Sequence, residues 1–120
     1  MRLMNRVELH MVSDSTGETA QRLVQALEAQ FPEQAFEEVR HTRAETVDDL
    51  ERAVASARGH AAVVIYTLVD PELRDAMRRL CRRARVHYCD LLGHPIRRFR
   101  FDVAGTNGVD ANPFGRKFIR

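Results

Sequence analysis

The most hydrophobic stretch of the chain is Ala61-Ala62-Val63-Val64-Ile65-Tyr66-Thr67-Leu68-Val69. It is rich in β-branched residues, and its apolar positions do not alternate with polar ones as they would in a strand with one solvated face. It is also far shorter than the roughly 20 apolar residues that a membrane-spanning helix needs. The stretch therefore predicts a central β-strand that is covered on both faces.

Segments with strand and helix periodicity alternate on both sides of this central strand. In chain order the pattern predicts a strand at 7–12, a helix at 20–31, a weaker strand at 35–39, a helix at 46–58, the strand at 61–69, a helix from 71 and a strand at 86–92. The connections are those of crossovers between parallel strands. The predicted fold class is α/β, a three-layer Rossmann-like or flavodoxin-like domain with a mostly parallel four-stranded sheet.

The third predicted helix has clear start signals and a basic outer face. Asp70 is expected to be its N-cap and Pro71 to lie in its first turn. Cys81 falls among its apolar positions and Cys89 in the fourth strand, so both thiols are expected to be buried. The exposed face is expected to carry Arg74, Arg78, Arg79, Arg82, Arg83 and Arg85.

Composition and charge narrow the functional classes. Of the 120 residues, 44% are hydrophobic and 30% are charged, which is typical of a soluble globular domain. The sequence shows neither a membrane span nor a signal peptide, and two cysteines do not make a disulfide framework, so we expect a cytoplasmic protein. Five histidines without metal-ligand spacing argue against a metal site.

The turn after the first strand is the leading candidate for a binding site. It lies where parallel α/β sheets place ligands, and its amides and hydroxyls suit a phosphate or another anion. An alternative is that Ser15 and Glu18 form a capping box that binds nothing. The candidate residues are Ser13, Asp14, Ser15, Thr16, Gly17, Glu18 and Thr19.

Two residues at the end of the central strand are secondary candidates. Thr67 and Asp70 are expected to face the same crevice, because the carboxyl ends of parallel strands share one edge of the sheet. The alternative for Asp70 is that it only caps the helix that follows.

Two segments carry a resemblance to a known family. Residues 12–19 resemble the opening motif of the bifunctional serine/threonine kinase and pyrophosphorylase regulators of phosphoenolpyruvate synthase and pyruvate, phosphate dikinase. Residues 66–74, then Cys81 and residues 90–93, resemble the same family in the same order, so the resemblance covers roughly residues 7–93. It implies ADP-dependent phosphorylation of a threonine on the target enzyme, and its phosphate-dependent removal with release of pyrophosphate.

The resemblance implies that ADP and phosphate are substrates and that a phosphate-binding loop in a second domain holds the nucleotide. The spacing G-x-x-x-x-G-K-[ST] of such a loop does not occur in these 120 residues. We therefore expect no catalytic residue and no tightly bound cofactor here. Residues 1–93 are expected to form the α/β domain, and residues 94–120 a basic, glycine-containing tail that does not match the family.

Other functions remain open at this stage. A stand-alone module that binds phosphate esters or docks on a protein is the first alternative. A second is nucleic-acid binding through the tail, whose net charge is +4 against −2 for residues 1–93, but a linker fits this segment better. The expected partners are phosphoenolpyruvate synthase or pyruvate, phosphate dikinase, with a homodimer also allowed and neither a membrane nor a nucleic acid expected.

Overall fold

The computed structural model describes residues 6–93, which form one three-layer α/β unit. Its elements are β1 (Val7–Ser13), α1 (Glu18–Gln30), β2 (Phe36–His41), α2 (Val47–Ala57), β3 (Ala62–Thr67), α3 (Pro71–Ala84) and β4 (His87–Asp90). The strands form one sheet in the order β2-β1-β3-β4, and every neighbouring pair is parallel. The predicted fold class is thereby confirmed, and the sheet is parallel throughout.

The two faces of the sheet carry two separate apolar clusters. On one face Leu9 and Met11 of β1 pack with Ile65 of β3 and with the buried side of α1. On the other face, Val12 of β1 and Tyr66 of β3 pack against α2 and α3. Because side chains alternate along a strand, even-numbered positions of β1 and β3 face α2 and α3, whereas odd-numbered positions face α1.

The helices begin in different ways. Thr46 and Asp49 form a reciprocal capping box at the start of α2, and Asp70 accepts a hydrogen bond from the Glu72 amide at the start of α3. The predicted Asp70 cap is thus confirmed. The capping box predicted for Ser15 and Glu18 is wrong, because α1 begins after Gly17 without any side-chain cap.

One predicted helix end and two predicted burial assignments are also wrong. The helix predicted to run to Phe31 ends at Gln30, and Phe31 is 54% exposed. Arg74 is only 7% exposed, although it was assigned to the outer face of α3. Cys89 is exposed on β4, whereas Cys81 is buried as predicted.

Residues 94–120 lie outside the described residues, and the structural predictions made for the tail remain predictions. Within residues 6–93, no helix is both long and apolar enough to cross a membrane.

Candidate functional site

The sheet has its topological switch point between β1 and β3. From β1 the chain crosses one face through α1 to reach β2, and from β2 it crosses the other face through α2 to reach β3. Open α/β sheets bind ligands in the crevice that this reversal leaves at the carboxyl ends of the strands. Ser13 and Thr67 end the two strands there and are register partners.

The turn from β1 to α1 is held by the loop that follows β2. The carbonyl of Ser13 accepts a hydrogen bond from the Ala44 amide at 2.9 Å, and the carbonyl of Ser15 accepts one from the Arg43 amide at 3.1 Å. The Ser13 hydroxyl oxygen accepts a third, from the Ser15 amide at 3.0 Å. Both backbone and side chain therefore fix the position of this turn.

Gly17 is the residue that allows α1 to start where it does. Its φ of 84° lies in the left-handed region, which costs a residue with a side chain free energy. A Cβ at this position would lie 3.4 Å from Cγ2 of Thr42, which is ordinary contact, so conformation is the stronger reason for glycine. Around it the side chains of Ser15, Thr16, Glu18 and Thr19 are exposed.

Asp14 connects this turn to the end of β3. Its Oδ2 accepts a hydrogen bond from the Val69 amide at 3.0 Å. Nη1 of Arg74 donates to the carbonyl of the same Val69 at 3.3 Å, and Nε of Arg74 lies 3.9 Å from Oδ2 of Asp90. The contacts with Val69 and Asp90 hold the Arg74 guanidinium in a buried position. Together with the Asp14 contact they form a row along the carboxyl edge of the sheet, from β1 to β4.

Asp90 organises the end of β4. Its Oδ1 accepts hydrogen bonds from the amides of Leu92 at 3.2 Å and Gly93 at 2.6 Å. The Leu91 amide donates to the carbonyl of Tyr66 at 3.0 Å, which ties the segment back to β3. A Cβ on Gly93 would overlap the Asp90 carboxylate, so a side chain at position 93 would require that carboxylate to move.

The two secondary candidates differ in their surroundings. The Asp70 carboxylate is used as the cap of α3, which favours the structural interpretation of this residue. Thr67 is 7% exposed, and its hydroxyl has no hydrogen-bond partner within residues 6–93. The structure thus brings Ser13, Asp14, Gly17 and Thr67 together at the switch point, and it assigns Asp70 to the neighbouring helix.

The sequence analysis did not predict a row of hydrogen-bonded polar side chains along β1 and β2. Nε2 of the buried His10 lies 2.8 Å from Oε1 of Glu8, and its Nδ1 lies 3.0 Å from Nε2 of His41 on β2. His60, which is exposed, lies 3.5 Å from the other oxygen of Glu8. The available signal was the pair Glu8 and His10, two polar residues at alternate positions of an otherwise apolar strand.

The surroundings of Glu8 and His41 shift the pKa values of both side chains. The hydrogen bond from His10 holds the pKa of the Glu8 carboxyl below its ordinary value, while burial opposes this effect. Burial lowers the pKa of His41, and charge on the neighbouring His10 lowers it further. For two neutral imidazoles, both contacts are satisfied when His10 donates to Glu8 through Nε2 and accepts from His41 at Nδ1.

Metal chemistry finds no support in the described part of the chain. Residues 6–93 contain no group of three or more His, Cys, Asp or Glu side chains that could hold a metal ion. The candidate site consists of hydroxyls, amides and carboxylates at the carboxyl edge of the parallel sheet, and the fold is that of a Rossmann-like α/β domain.

Comparison with known proteins places this domain in a family. Residues 9–108 match the kinase/pyrophosphorylase family, and the chain belongs to that family. A relative from Erythrobacter litoralis is 35% identical over 92% of this chain and 46% of its own length. Relatives from Sphingopyxis alaskensis (40% identical over 66% of this chain and 29% of the relative) and Cutibacterium acnes (31% over 92% and 38%) are similar. All three carry the provisional name of pyruvate, phosphate dikinase regulatory protein.

The extent of these matches is informative in two ways. The chain spans less than half the length of each of these relatives. The family match runs to residue 108, so the prediction that the family resemblance ends at residue 93 is wrong for residues 94–108. The domain boundary placed after Gly93 remains a prediction.

Proposed function

We propose that this chain supplies the N-terminal α/β domain of a bifunctional regulator that phosphorylates and dephosphorylates pyruvate, phosphate dikinase on threonine. Membership of the kinase/pyrophosphorylase family supports the reaction class, and the names of the relatives support the dikinase as target. Phosphoenolpyruvate synthase is the alternative target, which the family resemblance also implies. The regulator would act on either target enzyme in the cytoplasm.

The observation that carries the proposal is the meeting of the two family-like segments at one edge of the sheet. They are far apart in the sequence, yet Asp14 of the first accepts a hydrogen bond from Val69 of the second. Arg74 and Asp90, both within the second group of family-like residues, continue the same row of contacts. The shared edge supports a common role for the two segments.

In this proposal ADP is bound elsewhere in the regulator. The exposed rim of the crevice includes Glu18 and Asp70, whose charges repel a polyphosphate. The 120 residues also lack the glycine and lysine spacing of a phosphate-binding loop. The domain would therefore form one wall of the active-site cleft and contact the target, and by itself it would not transfer phosphate.

A chimeric enzyme tests this proposal. The segment of the Erythrobacter litoralis relative that aligns with this chain would be replaced by residues 1–108, and phosphothreonine formation on the dikinase would be followed with ADP as donor. We expect the chimera to phosphorylate the dikinase and to reverse the reaction with phosphate, and we expect the isolated chain to do neither.

Two controls complete the experiment. The chimera carrying Asp14→Ala should lose activity, because the row of contacts along the edge is broken, whereas Ser56→Ala on the exposed face of α2 should not. Phosphotransfer by the isolated chain would contradict the proposal, since it would require a nucleotide site within this chain. A folded chimera that lacks activity toward both enzymes would also contradict it.

A further inference from the structure

Thr67 is the least explained polar residue of the candidate site. The residue is 7% exposed, and its hydroxyl has no hydrogen-bond partner in the part of the chain that the structure describes. A buried hydroxyl without a partner is costly, and most buried polar groups in proteins are satisfied. The hydroxyl therefore has an unfilled hydrogen-bonding capacity at the switch point.

The Thr67 side chain lies beside that of Ser13. The two residues are register partners at the ends of β3 and β1, and both are odd-numbered positions on the face that α1 covers. Ser13 is 2% exposed, and its oxygen accepts a hydrogen bond from the Ser15 amide. Its hydroxyl proton is left to donate, so two buried hydroxyls can donate side by side.

The start of α1 lies against Ser13, one member of this pair. Cβ of Ser13 is 3.8 Å from the position that a Cβ on Gly17 would take, which brings Ser13 against the start of the helix. No side chain caps this turn, so its amides remain available to a ligand. Amides at a helix N-terminus attract negative charge.

We propose that Ser13, Thr67 and the first-turn amides of α1 bind a single phosphoryl group, either inorganic phosphate or a phosphate monoester. The inference rests on the proposed function, in which both phosphothreonine and free phosphate are reactants, and it assigns them a place in this domain. Asp14 does not occupy the site, because its carboxylate is bound to the Val69 amide. Glu18 disfavours a second phosphate, so pyrophosphate binds less tightly than phosphate.

Titration of the intact chain tests this site. Amide chemical shifts would be followed by NMR during additions of inorganic phosphate, O-phosphothreonine and pyrophosphate. We expect saturable shifts at residues 15–20 with the first two ligands and weaker binding of pyrophosphate. Tighter binding of phosphothreonine than of phosphate would identify the target side chain as the source of the phosphoryl group, and equal affinity would identify free phosphate.

Substitution of Thr67 distinguishes a ligand site from a structural residue. Thr67→Val should reduce phosphate affinity by about tenfold or more, as expected from the loss of one charge-assisted hydrogen bond. It should leave Tm unchanged or raise it, because the unpartnered hydroxyl is removed. Thr67→Ser should retain binding, and Ser56→Ala serves as a matched hydroxyl deletion on the exposed face of α2.

Either of two results would overturn the inference. One is unchanged phosphate affinity in Thr67→Val, and the other is a fall in its Tm or failure to fold, which would show that the hydroxyl has a structural partner. The experiment needs neither a nucleotide nor the dikinase. Its failure would therefore leave the proposed function standing, and an inactive chimera would leave a measured phosphate site in place.

Discussion

Asp14 accepts a hydrogen bond from the Val69 amide at 3.0 Å, across 55 positions of the sequence. The contact spans the switch point, because Asp14 follows β1 and Val69 follows β3. Arg74 bonds the carbonyl of the same residue, so Val69 is held on both sides of its backbone. The Asp14 carboxylate after β1 and the Arg74 guanidinium of α3 therefore both hold the β3–α3 connection in place.

Removal of the Asp14 carboxylate tests this connection. We expect Asp14→Ala to lower the free energy of unfolding by about 1 kcal/mol, the usual net value of one hydrogen bond, and to speed hydrogen exchange of the Val69 amide. Asp14→Asn retains an acceptor oxygen and should exchange more slowly than the alanine variant. Urea denaturation and amide exchange measure both effects, and unchanged exchange at Val69 in Asp14→Ala would rule out the contact.

A side chain at position 93 should displace the Asp90 carboxylate and weaken the turn after β4. A Cβ on Gly93 overlaps the Asp90 carboxylate, so Gly93→Ala should lower the free energy of unfolding by about 1–3 kcal/mol. In an Asp90→Ala background the obstacle is gone, and the same substitution should cost less. A double-mutant cycle measures this coupling. Additive losses would show that the carboxylate is not the obstacle.

Gly17 and Gly59 provide a matched pair. Both have positive φ, at 84° and 83°, but a Cβ would touch Thr42 at position 17 and nothing at position 59. We expect each substitution by alanine to cost about 1–2 kcal/mol, which is the cost of the left-handed conformation. Thermal unfolding of the two variants checks this, and a much larger loss at position 17 would mean that packing against Thr42 decides the residue.

Stability should fall as the pH drops below the ordinary histidine pKa. The pKa of His41 is lowered in the folded chain, so the unfolded state takes up a proton first. The stabilising contribution is complete above the ordinary pKa of 6.5 and is lost as the pH falls toward the folded value. Urea denaturation between about pH 7.5 and pH 5 should show this slope, and His41→Gln should flatten it.

The groups that face His41 limit how this experiment is interpreted. His10 is its direct partner, and Glu8 and His60 lie beyond His10. Glu8 contributes in the same direction but at lower pH, because its lowered pKa places its loss below the ordinary value of 4.5. If the free energy of unfolding of His41→Gln depends on pH as in the unsubstituted chain, a group other than His41 causes the dependence.

The two cysteines should differ sharply in reactivity. Burial raises the pKa of Cys81 to about 11, and its thiol contacts the sulfur of Met77 at 3.7 Å. Cys89 is exposed on β4. A thiol reagent should therefore label one cysteine of the native chain quickly and the second only after unfolding. Rapid labelling of Cys81 in a Cys89→Ser variant would contradict its burial.

Much of the fold follows from local pattern, because the period of apolar residues identifies both strands and helices. The uniform hydrophobicity of residues 62–67 indicates a strand covered on both faces, and Asp70 with Pro71 gives the start of α3 correctly. Phe31 was misjudged because the helical period continues one residue past the last turn of α1. The period of apolar residues does not show at which residue a helix ends.

The candidate site could be predicted only in part. Its position follows from topology, since any turn after β1 must lie at the carboxyl edge, and Thr67 was expected there for the same reason. The burial of Arg74 could not be foreseen, because it depends on Asp90, which comes 16 positions later on another strand. The row of polar side chains likewise could not be foreseen, because it depends on the register between β1 and β2, which brings His10 close to His41.

The strand order also constrains how the chain folds during its synthesis. β1 is made first but lies inside the sheet, and its second edge pairs with β3, as in the pair His10 and Val64. Until β3 has left the ribosome, that edge of β1 stays open to pairing with other chains. β2 pairs only with the other edge of β1, and α1 covers only one face of the sheet. Chaperone dependence should therefore be greatest for nascent chains that end between α2 and β3.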